Sequence, residues 1–460
     1  MPDELVEVGR VKLAILGGGG FRVPLVYGAL LDDRSSHLVD VVALHDVDAT
    51  RLEAVGQVLR QQAQECEPPS RAPRLVQTTD LDEALRGADF VFSAIRVGGL
   101  RGWTLDERVA LDLGLLGQET TGPGGLAYAL RTVPVALHIA RRTRALAPDA
   151  WFINFTNPAG IVTEAMQALL GDRVIGICDS PAALARRAIR VLGLPQDATE
   201  IDYVGLNHLG WLRALRHDGR DHLPELLQSA ELLARTEEGR LFGPEWLKDL
   251  GALPNEYLYY YYFTREALAS IRTADQTRGE YLRDQQEAFY SAVGRDPRNA
   301  LQEWRRVREE RDATYMREAR AQDEDRDADD VAGGGGYEGV ALAIMAAIAK
   351  GEAAHLILNV RAWGTVPGLP DDAVVEVPCR VDRGGPHPRT LARPAGHMLG
   401  LMQQVKAVER LVIEAATTGS EAAALKAFAL HPLVDSVSTA RALLTGYRAA
   451  HPQVAALFDA

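Results

Sequence analysis

Cysteine is scarce in this sequence, and long hydrophobic runs are absent from it. Its 460 residues include three cysteines, Cys66, Cys178 and Cys379, which are odd in number and far apart. Such a set is no disulfide framework, and it favours a reducing compartment. No stretch approaches the roughly 20 continuous apolar residues of a membrane span, and the acidic start MPDELVEVGR lacks the layout of a signal peptide. We therefore expect a cytoplasmic protein.

Basic residues are also fewer than acidic residues in this sequence. Lys and Arg number 50 against 63 Asp and Glu, which gives a formal net charge of −13. An acidic chain does not attract nucleic acid or an anionic membrane, although a local basic pocket is compatible with it. The composition, 47% hydrophobic and 25% charged, is otherwise ordinary for a globular protein. Because domains usually contain about 100–200 residues, we expect two domains, or three.

The N-terminal part has the layout of a mononucleotide-binding βαβ unit. The apolar run over 11–16, VKLAIL, precedes four glycines at 17–20, and a second apolar run over 39–46 ends in Asp46. Glycine amides and a helix N-terminus can hold a pyrophosphate, and an acid at the end of the second strand can bind a ribose diol. Arg22 occupies the position where the fingerprint expects its third glycine. A simple tight turn is the alternative interpretation.

Strands and helices continue to alternate as far as about residue 200. The alternation predicts an α/β fold with a Rossmann-like, doubly wound parallel sheet. Functional side chains in such sheets lie at the carboxyl ends of the strands, where this sequence carries Arg96, Asn157, Cys178 and Asp179. The further strand candidates are ADFVFSAI (88–95), WFINFTNPAG (151–160) and VIGICDSP (174–181).

The alternation of strand and helix patterns ends at about residue 200, which predicts a second, α+β domain beyond it. The charge-rich segment 303–330 is typical of a solvated helix, with a flexible loop over 323–336. We therefore divide the chain into a nucleotide-binding domain over 1–200 and a substrate- and metal-binding domain over 201–460. The segments that define the second domain are a strand–turn–strand (201–219), a strand (375–381) and a helical tail (395–450).

Two potential metal ligands have unusual neighbours. Cys178 ends a strand candidate beside Asp179, and His208 lies in the irregular turn of GLNHLGW. A thiolate, an imidazole and oxygen ligands form a suitable set for a divalent metal. The spacing matches no zinc finger, so a buried cysteine and a structural histidine remain the alternative.

The segment PNEYLYYYYF (254–263) carries five tyrosines. Packing explains most such clusters. A tyrosine serves as a general base only where something lowers its pKa of about 10, as a metal cation does. The segment therefore leaves both interpretations open.

Taken in order, these motifs resemble one family closely. The series LGGGGFRVP, IRVGG, GQETTGPGG, NFTNPAGIVTEA, GICDSP, DYVGLNHLGW, PNEYLYYYY, TRGE and NVRAWGTVPGLPDDAVVEVPC is similar to that of glycoside hydrolase family 4, the NAD- and divalent-metal-dependent glycosidases. The similarity is closest to the 6-phospho-β-glucosidases. It extends from residue 12 to about 380, most of the chain.

The resemblance implies hydrolysis of a phosphorylated glycoside by a redox route rather than by two carboxylates. NAD takes a hydride from carbon 3 of the sugar, and the ketone acidifies the proton on carbon 2. A base removes that proton, the glycosidic oxygen leaves, water adds, and the hydride returns. A divalent metal, typically manganese, polarises the oxygens on carbons 2 and 3. The resemblance also implies a homodimer or homotetramer.

The resemblance assigns roles to individual positions as well. Cys178 and His208 match the metal ligands, and Asp179 matches a residue that protonates the leaving group. Tyr257 matches the base, with the register of the tyrosine run open by a few positions. The positions that match the cofactor site are Gly17, Gly19, Gly20, Phe21, Arg22 and Asp46. Those that match the sugar and phosphate site are Arg96, Asn157, Asn207 and Arg278.

Departures from the family pattern leave the anomeric preference open. Asp179 is usual in the family's phospho-α-glucosidases, whereas GLNHLGW is β-like. Gly20 replaces a common serine, and GGGGYEGVA near residue 333 departs from an RGGAYYSE-like stretch. We predict a 6-phospho-β-glucosidase. The alternatives are its α-linked counterpart, a glycosidase for unphosphorylated substrates and, more distantly, an NAD-dependent hydroxy-acid dehydrogenase of the lactate/malate type, whose fold would be similar.

Overall fold

The computed structural model describes residues 11–32, 38–66, 72–314 and 336–459. The described strands are β1 Lys12–Leu16, β2 Val41–His45, β3 Arg74–Thr78, β4 Phe90–Ser93, β5 Trp151–Asn154, β6 Val174–Gly176, β7 Glu200–Leu206, β8 Leu209–His217, β9 Arg220–Asp221, β10 Leu253–Pro254, β11 Ala354–Arg361, β12 Val374–Asp382 and β13 Gly385–Pro388.

The described α-helices lie between these strands and at the C-terminal end of the chain. They are α1 Val23–Asp32, α2 Ala49–Glu65, α3 Leu81–Leu85, α4 Gly99–Asp112, α5 Pro123–Leu146, α6 Ala159–Leu170, α7 Ser180–Val191, α8 Leu223–Leu227, α9 Ala230–Ala234, α10 Glu237–Phe242, α11 Pro244–Leu250, α12 Tyr259–Tyr262, α13 Thr264–Thr273, α14 Arg278–Arg295, α15 Ala300–Ala313, α16 Tyr337–Lys350, α17 Gly396–Thr418, α18 Glu421–Leu430, α19 Val437–Ala450 and α20 Pro452–Phe458.

Six parallel strands form the N-terminal part of the sheet, in the order β3-β2-β1-β4-β5-β6. Side chains alternate along β1, so Leu13 and Ile15 join one hydrophobic core with α1 and α2, whereas Ala14 and Leu16 join another with α5 and α6. All four are fully buried, as a parallel sheet covered on both faces requires. The predicted Rossmann-like, doubly wound sheet is confirmed.

The same sheet continues into the C-terminal half with antiparallel strands. β11 pairs with β6, the last of the parallel strands, through Asn359 and Gly176, and the order continues β11-β12-β7-β8-β10. The predicted strand–turn–strand is the antiparallel pair β7 and β8. The second part is therefore mixed α and β, as expected, although it shares one sheet with the first. The division at residue 200, where β7 begins, stays a prediction.

The predicted helical tail packs on the α5 side of the molecule. Val408 of α17, Phe428 of α18 and Tyr447 of α19 lie in one buried core with residues of α5. The rings of Phe428 and Tyr447 stack at 5.7 Å between centroids. None of the helices described is long and apolar enough to cross a membrane.

The described part of the charge-rich segment, residues 303–314, is solvated on one side only. Trp304 and Val307 of α15 are buried in the main core, and α15 ends at Ala313. The predicted flexible loop lies outside the described residues except for Gly336, which caps α16.

Candidate active site

The glycine run forms a tight loop between β1 and α1. Gly17 has a φ of +79°, in the left-handed region that favours glycine. A Cβ added at Gly19 would lie 2.9 Å from the Cβ of Arg51, so a side chain at this position forces its neighbours to move. The carboxylate of Asp46 accepts the N–H of Gly19 at 2.9 Å. The loop thus presents bare backbone next to an acid at the end of β2, as a dinucleotide site requires.

Three aromatic side chains from α14, α15 and α16 hold the carbonyl groups of this loop. Sequence reasoning missed them, because nothing in the spacing of the chain links positions about 300 residues apart. The ring of Phe21 packs edge-on against Phe289 at 5.2 Å, so Phe21 anchors the loop in the core. The hydrogen bonds run from Tyr290 Oη to Gly19 O at 2.7 Å, from Trp304 Nε1 to Phe21 O at 2.8 Å and from Tyr337 Oη to Arg22 O at 2.7 Å.

A cavity of about 480 Å³ opens beside the loop, at the carboxyl ends of the parallel strands. Most of the predicted site residues line it together, although they come from distant parts of the chain. Gly17, Gly19 and Asp46 lie on the loop side, outside its lining. The predicted residues that do line it are Gly20, Phe21, Arg22, Arg96, Asn157, Cys178, Asp179, His208, Tyr257 and Arg278.

Both predicted metal ligands line the cavity. Cys178 follows β6, and His208 occupies the turn between β7 and β8 with a left-handed φ of +62°. His208 Nδ1 lies 2.8 Å from Oγ1 of Thr120, which leaves Nε2 as the nitrogen able to coordinate a metal. Burial lowers the pKa of His208 to about 3, so the imidazole is neutral at pH 7, as a ligand must be.

Cys178 is 4% exposed, and its burial raises the pKa of the thiol well above the usual value. A bound cation favours the thiolate and opposes this effect. Within 11–32, 38–66, 72–314 and 336–459, no three His, Cys, Asp or Glu side chains form a ready-made metal cluster. A thiol and a neutral imidazole therefore fit a divalent metal whose other ligands are substrate or water oxygens.

The tyrosine run separates into residues inside and outside the cavity. Tyr257 and Tyr260 line it, and Tyr257 lies in the short 3-10 turn Glu256–Leu258. The Tyr257 ring stacks on the His208 imidazole with centroids 3.6 Å apart. Tyr262 instead accepts the indole N–H of Trp211 at 3.0 Å. Tyr257 is therefore the member of the run that contacts the predicted metal ligand.

Several arginines line one part of the cavity, although the chain as a whole is acidic. We call this group the arginine wall. Arg96 and Arg278 are predicted here, and Arg22 and Arg311 join them in the lining. Arg278 donates to Oγ1 of Thr314 at 2.7 Å and to the carbonyl of Arg311 at 3.1 Å. Burial, with repulsion from Arg22 and Arg278, lowers the pKa of Arg311 to about 9. Sequence reasoning missed Arg311 because it lies in the charged run interpreted as solvated.

Glu119 is one of the acidic residues that line the cavity; the others in the described part of the chain are Asp179, Glu256, Asp312 and Glu338. Glu119 forms an ion pair with Arg96, and the Arg96 guanidinium also lies 4.8 Å from the centroid of the Trp103 ring. The motif GQETTGPGG contains Glu119, but the sequence analysis assigns no role to this residue. Among the described residues, eight arginines line the cavity against five acidic residues, so an anionic ligand fits it.

Asn207 points away from this cavity, although we predicted a contact with substrate. It donates to the buried carboxyl of Glu376 at 3.3 Å, as Asn359 does at 2.8 Å. Burial raises the pKa of Glu376 to about 7. In this arrangement Asn207 holds the turn that carries His208, and a role in substrate binding stays a prediction.

The fold and site define a Rossmann-like α/β protein whose cavity is lined by a glycine loop, by Cys178 and His208, and by several arginines. The profile of the family 4 glycosyl hydrolases matches residues 12–194, and that of their C-terminal domain matches residues 203–434. The chain belongs to family 4 of the glycosyl hydrolases.

Relatives of the chain carry names of both anomeric specificities. A 6-phospho-beta-glucosidase of Escherichia coli (strain K12) is 32% identical over 96% of this chain and 95% of its own. The structure of a 6-phospho-beta glucosidase from Thermotoga maritima, with manganese, NAD+ and glucose-6-phosphate, matches with a TM-score of 0.80 at 26% identity, over 96% and 99% of the two chains. A 6-phospho-alpha-glucosidase from gut microorganisms, in complex with NAD and Mn2+, matches with a TM-score of 0.77 at 26% identity, over 95% and 97%.

Proposed function

We propose that this protein hydrolyses 6-phosphoglucosides, with a preference for the β-linkage, and that it uses NAD and manganese. One observation carries the proposal: the arginine wall with Arg96 and Arg278 lines the same cavity as Cys178 and His208, next to the glycine loop. A phosphate monoester is the kind of group that clustered guanidinium groups bind. The solved relatives bind NAD, manganese and glucose-6-phosphate, which supports the same ligands here.

The residues of the loop fit NAD. Gly17 and Gly20 leave backbone partly exposed where a pyrophosphate can approach, and the buried Gly19 lets the loop pack closely against Arg51. The half-buried Asp46 carboxylate can accept hydrogen bonds from a ribose diol. Bound NAD supplies a hydride acceptor for carbon 3 of the sugar and later returns the hydride. Phe21 and Arg22 keep the loop in place through their hydrogen-bonded carbonyl groups.

Cys178 and His208 would hold the metal. A bound divalent ion supplies Lewis acidity toward the oxygens on carbons 2 and 3. Cys178 and His208 come from β6 and from the β7–β8 turn, so the sheet itself fixes their separation. Thr120, through its contact with His208 Nδ1, fixes the orientation of the imidazole.

The remaining residues bind and move protons. Arg96 and Arg278 bind the 6-phosphate, and Asn157 faces the sugar from the end of β5. Tyr257 removes the proton from carbon 2 as general base. Asp179, which precedes the first residue of α7 and lines the cavity, protonates the departing glycosidic oxygen. These roles place acid, base and phosphate contacts in one cavity.

The α-linked substrate is the second candidate. Asp179 directly follows Cys178, the pattern that we associate with phospho-α-glucosidases, and one of the solved relatives is such an enzyme. The two possibilities differ in the face from which the leaving group departs, so the paired anomers of one substrate distinguish them.

The test compares p-nitrophenyl 6-phospho-β-glucoside with its α-anomer, in the presence of NAD, Mn²⁺ and a thiol reductant. We expect nitrophenol release from the β-anomer at the higher kcat/KM, with no net NADH. Deuterium from heavy water should appear at carbon 2 of the product. Faster α-cleavage would assign the α-specificity. Stoichiometric NADH without nitrophenol would instead indicate a dehydrogenase and overturn the proposal.

A further inference from the structure

Glu107 is a buried carboxyl on α4 that lies just behind the arginine wall. Only 2% of the surface of Glu107 is exposed, and Glu107 does not line the cavity. Oε1 accepts the indole N–H of Trp103 at 2.7 Å. Both carboxyl oxygens also lie 3.1 Å from the backbone N–H of Gly279. A buried carboxyl with such partners holds them in fixed positions, because losing it leaves their N–H groups unsatisfied.

Two of the hydrogen-bond partners of Glu107, Trp103 and Gly279, lead to the two predicted phosphate ligands. Trp103 is the ring over which the Arg96 guanidinium lies, 4.8 Å from its centroid. Gly279 directly follows Arg278, the first residue of α14. One carboxyl therefore fixes the support of one arginine and the helical turn that carries the other.

The backbone of α14 at Gly279 packs so closely against Glu107 and Trp103 that a larger residue would not fit there. A Cβ added at Gly279 would lie 2.6 Å from Glu107 Oε2 and 3.0 Å from Cδ1 of Trp103. A second link between the same helices lies farther out, where Arg108 donates to Glu280 at 2.6 and 2.8 Å. The junction of α4 and α14 is thus built around Glu107, and the outer ion pair strengthens it.

We propose that Glu107 is a positioning residue that sets the spacing of Arg96 and Arg278 and thereby confers preference for phosphorylated sugars. The inference rests on the proposed function, since that function places the 6-phosphate on these arginines. The described hydrogen-bond partners of Glu107 are Trp103, Thr277 and Gly279, none of which belongs to the glycine loop or to the predicted metal ligands. Replacement of Glu107 should therefore weaken phosphate recognition while leaving the glycine loop intact.

The experiment measures glucose 6-phosphate binding to the full chain by isothermal titration calorimetry, and NAD binding in parallel. Glu107→Leu should weaken glucose 6-phosphate binding at least about tenfold, because two buried donors lose their acceptor. NAD affinity should stay within about twofold of wild type. Glu107→Gln, which keeps one oxygen acceptor, should recover most of the loss. In turnover, KM for the phosphorylated substrate should rise more than kcat falls.

Glu164→Leu is the matched control. Glu164 is a largely buried carboxyl that accepts the N–H of Val374 at 2.8 Å and pairs with Lys406, outside the cavity lining. The Glu164→Leu variant should lower the free energy of unfolding without changing the affinity for glucose 6-phosphate. If Glu107→Leu does not fold, Trp103→Phe removes one of the same hydrogen bonds and should weaken the same affinity.

The outcomes separate the two proposals. Wild-type protein that does not bind glucose 6-phosphate overturns the proposed function. Wild-type protein that binds it while folded Glu107→Leu or Trp103→Phe binds equally well overturns the role of Glu107 alone. Parallel losses of NAD and glucose 6-phosphate affinity also overturn that role, because they indicate general damage.

Discussion

The imidazole of His208 and the phenol ring of Tyr257 stack face to face, with centroids 3.6 Å apart and planes 4° apart. This contact joins the β7–β8 turn to the turn that precedes α12, two segments that sequence reasoning treats separately. It places the tyrosine proposed as base against the histidine proposed as metal ligand. The proximity is consistent with a phenol whose pKa a nearby cation can lower.

Replacing Tyr257 by Phe should lower kcat by about 10²–10⁴-fold, the usual range for loss of a general base. The ring remains, so the stack on His208 and the affinity for glucose 6-phosphate should persist. The measurement is kcat together with exchange of the carbon 2 proton in heavy water. Tyr259→Phe is the control, since Tyr259 packs on Phe263 outside the cavity lining. A loss of exchange in Tyr259→Phe, but not in Tyr257→Phe, would shift the base along the run.

Replacing Cys178 by Ser should weaken Mn²⁺ binding at least about tenfold, because an alcohol is a poorer ligand than a thiolate. Electron paramagnetic resonance of unbound Mn²⁺ measures the affinity with NAD and glucose 6-phosphate present. Cys379→Ser is the matched control, since Cys379 is also buried and its thiol donates to the Val377 carbonyl at 3.4 Å, outside the cavity lining. Equal manganese affinity in Cys178→Ser and wild type would remove Cys178 from the site.

Local pattern is enough to predict the parallel half of the fold. The strand, glycine loop and strand that ends in Asp46 form a unit whose geometry depends on neighbours in sequence. The carboxyl ends of parallel strands meet at one edge of a sheet, which predicts that Arg96, Asn157, Cys178 and Asp179 lie together. All four line one cavity.

Contacts between distant segments could not be predicted in the same way. Glu107 lies within a helix whose pattern is ordinary, and only the packing of α14 on α4 shows that it meets Gly279. Arg311 lies in a run of mixed charge that is typical of a solvated surface. Asn207 follows a β-strand next to His208, and its direction toward Glu376 depends on the pairing of β7 with β12.

Replacing Tyr290 by Phe should weaken NAD binding about two- to tenfold. The change leaves the carbonyl of Gly19 without its hydrogen bond from Tyr290 Oη, and a hydrogen bond of this kind contributes about 0.5–1.5 kcal/mol. Fluorescence titration with NAD measures the effect. Tyr447→Phe is the control, because its buried hydroxyl also donates to a backbone carbonyl, that of Asp106, far from the loop. An equal loss in both variants would show that the loop contact has no specific role.

Glu107 should also make the free energy of unfolding fall as pH rises. Burial raises the pKa of Glu107 to about 8 from an ordinary value of 4.5, against opposition from its hydrogen bonds with Thr277, Gly279 and Trp103. The folded protein therefore keeps a proton that the unfolded chain releases. This stabilisation is complete below about pH 4.5 and is lost as pH rises through about 8, by up to about 1.4 kcal/mol per pH unit.

Urea unfolding of wild type and Glu107→Gln between pH 5 and 8, without cofactor, measures this contribution. Because glutamine does not titrate, the stability difference, wild type minus variant, should decrease by on the order of a few kcal/mol across that range. Glu280→Gln is the control of opposite sign: Arg108 lowers the pKa of Glu280, so its own titration lies below this range. A difference between wild type and Glu107→Gln that is independent of pH would mean that Glu107 is ionised throughout, held by its N–H donors against the cost of burial.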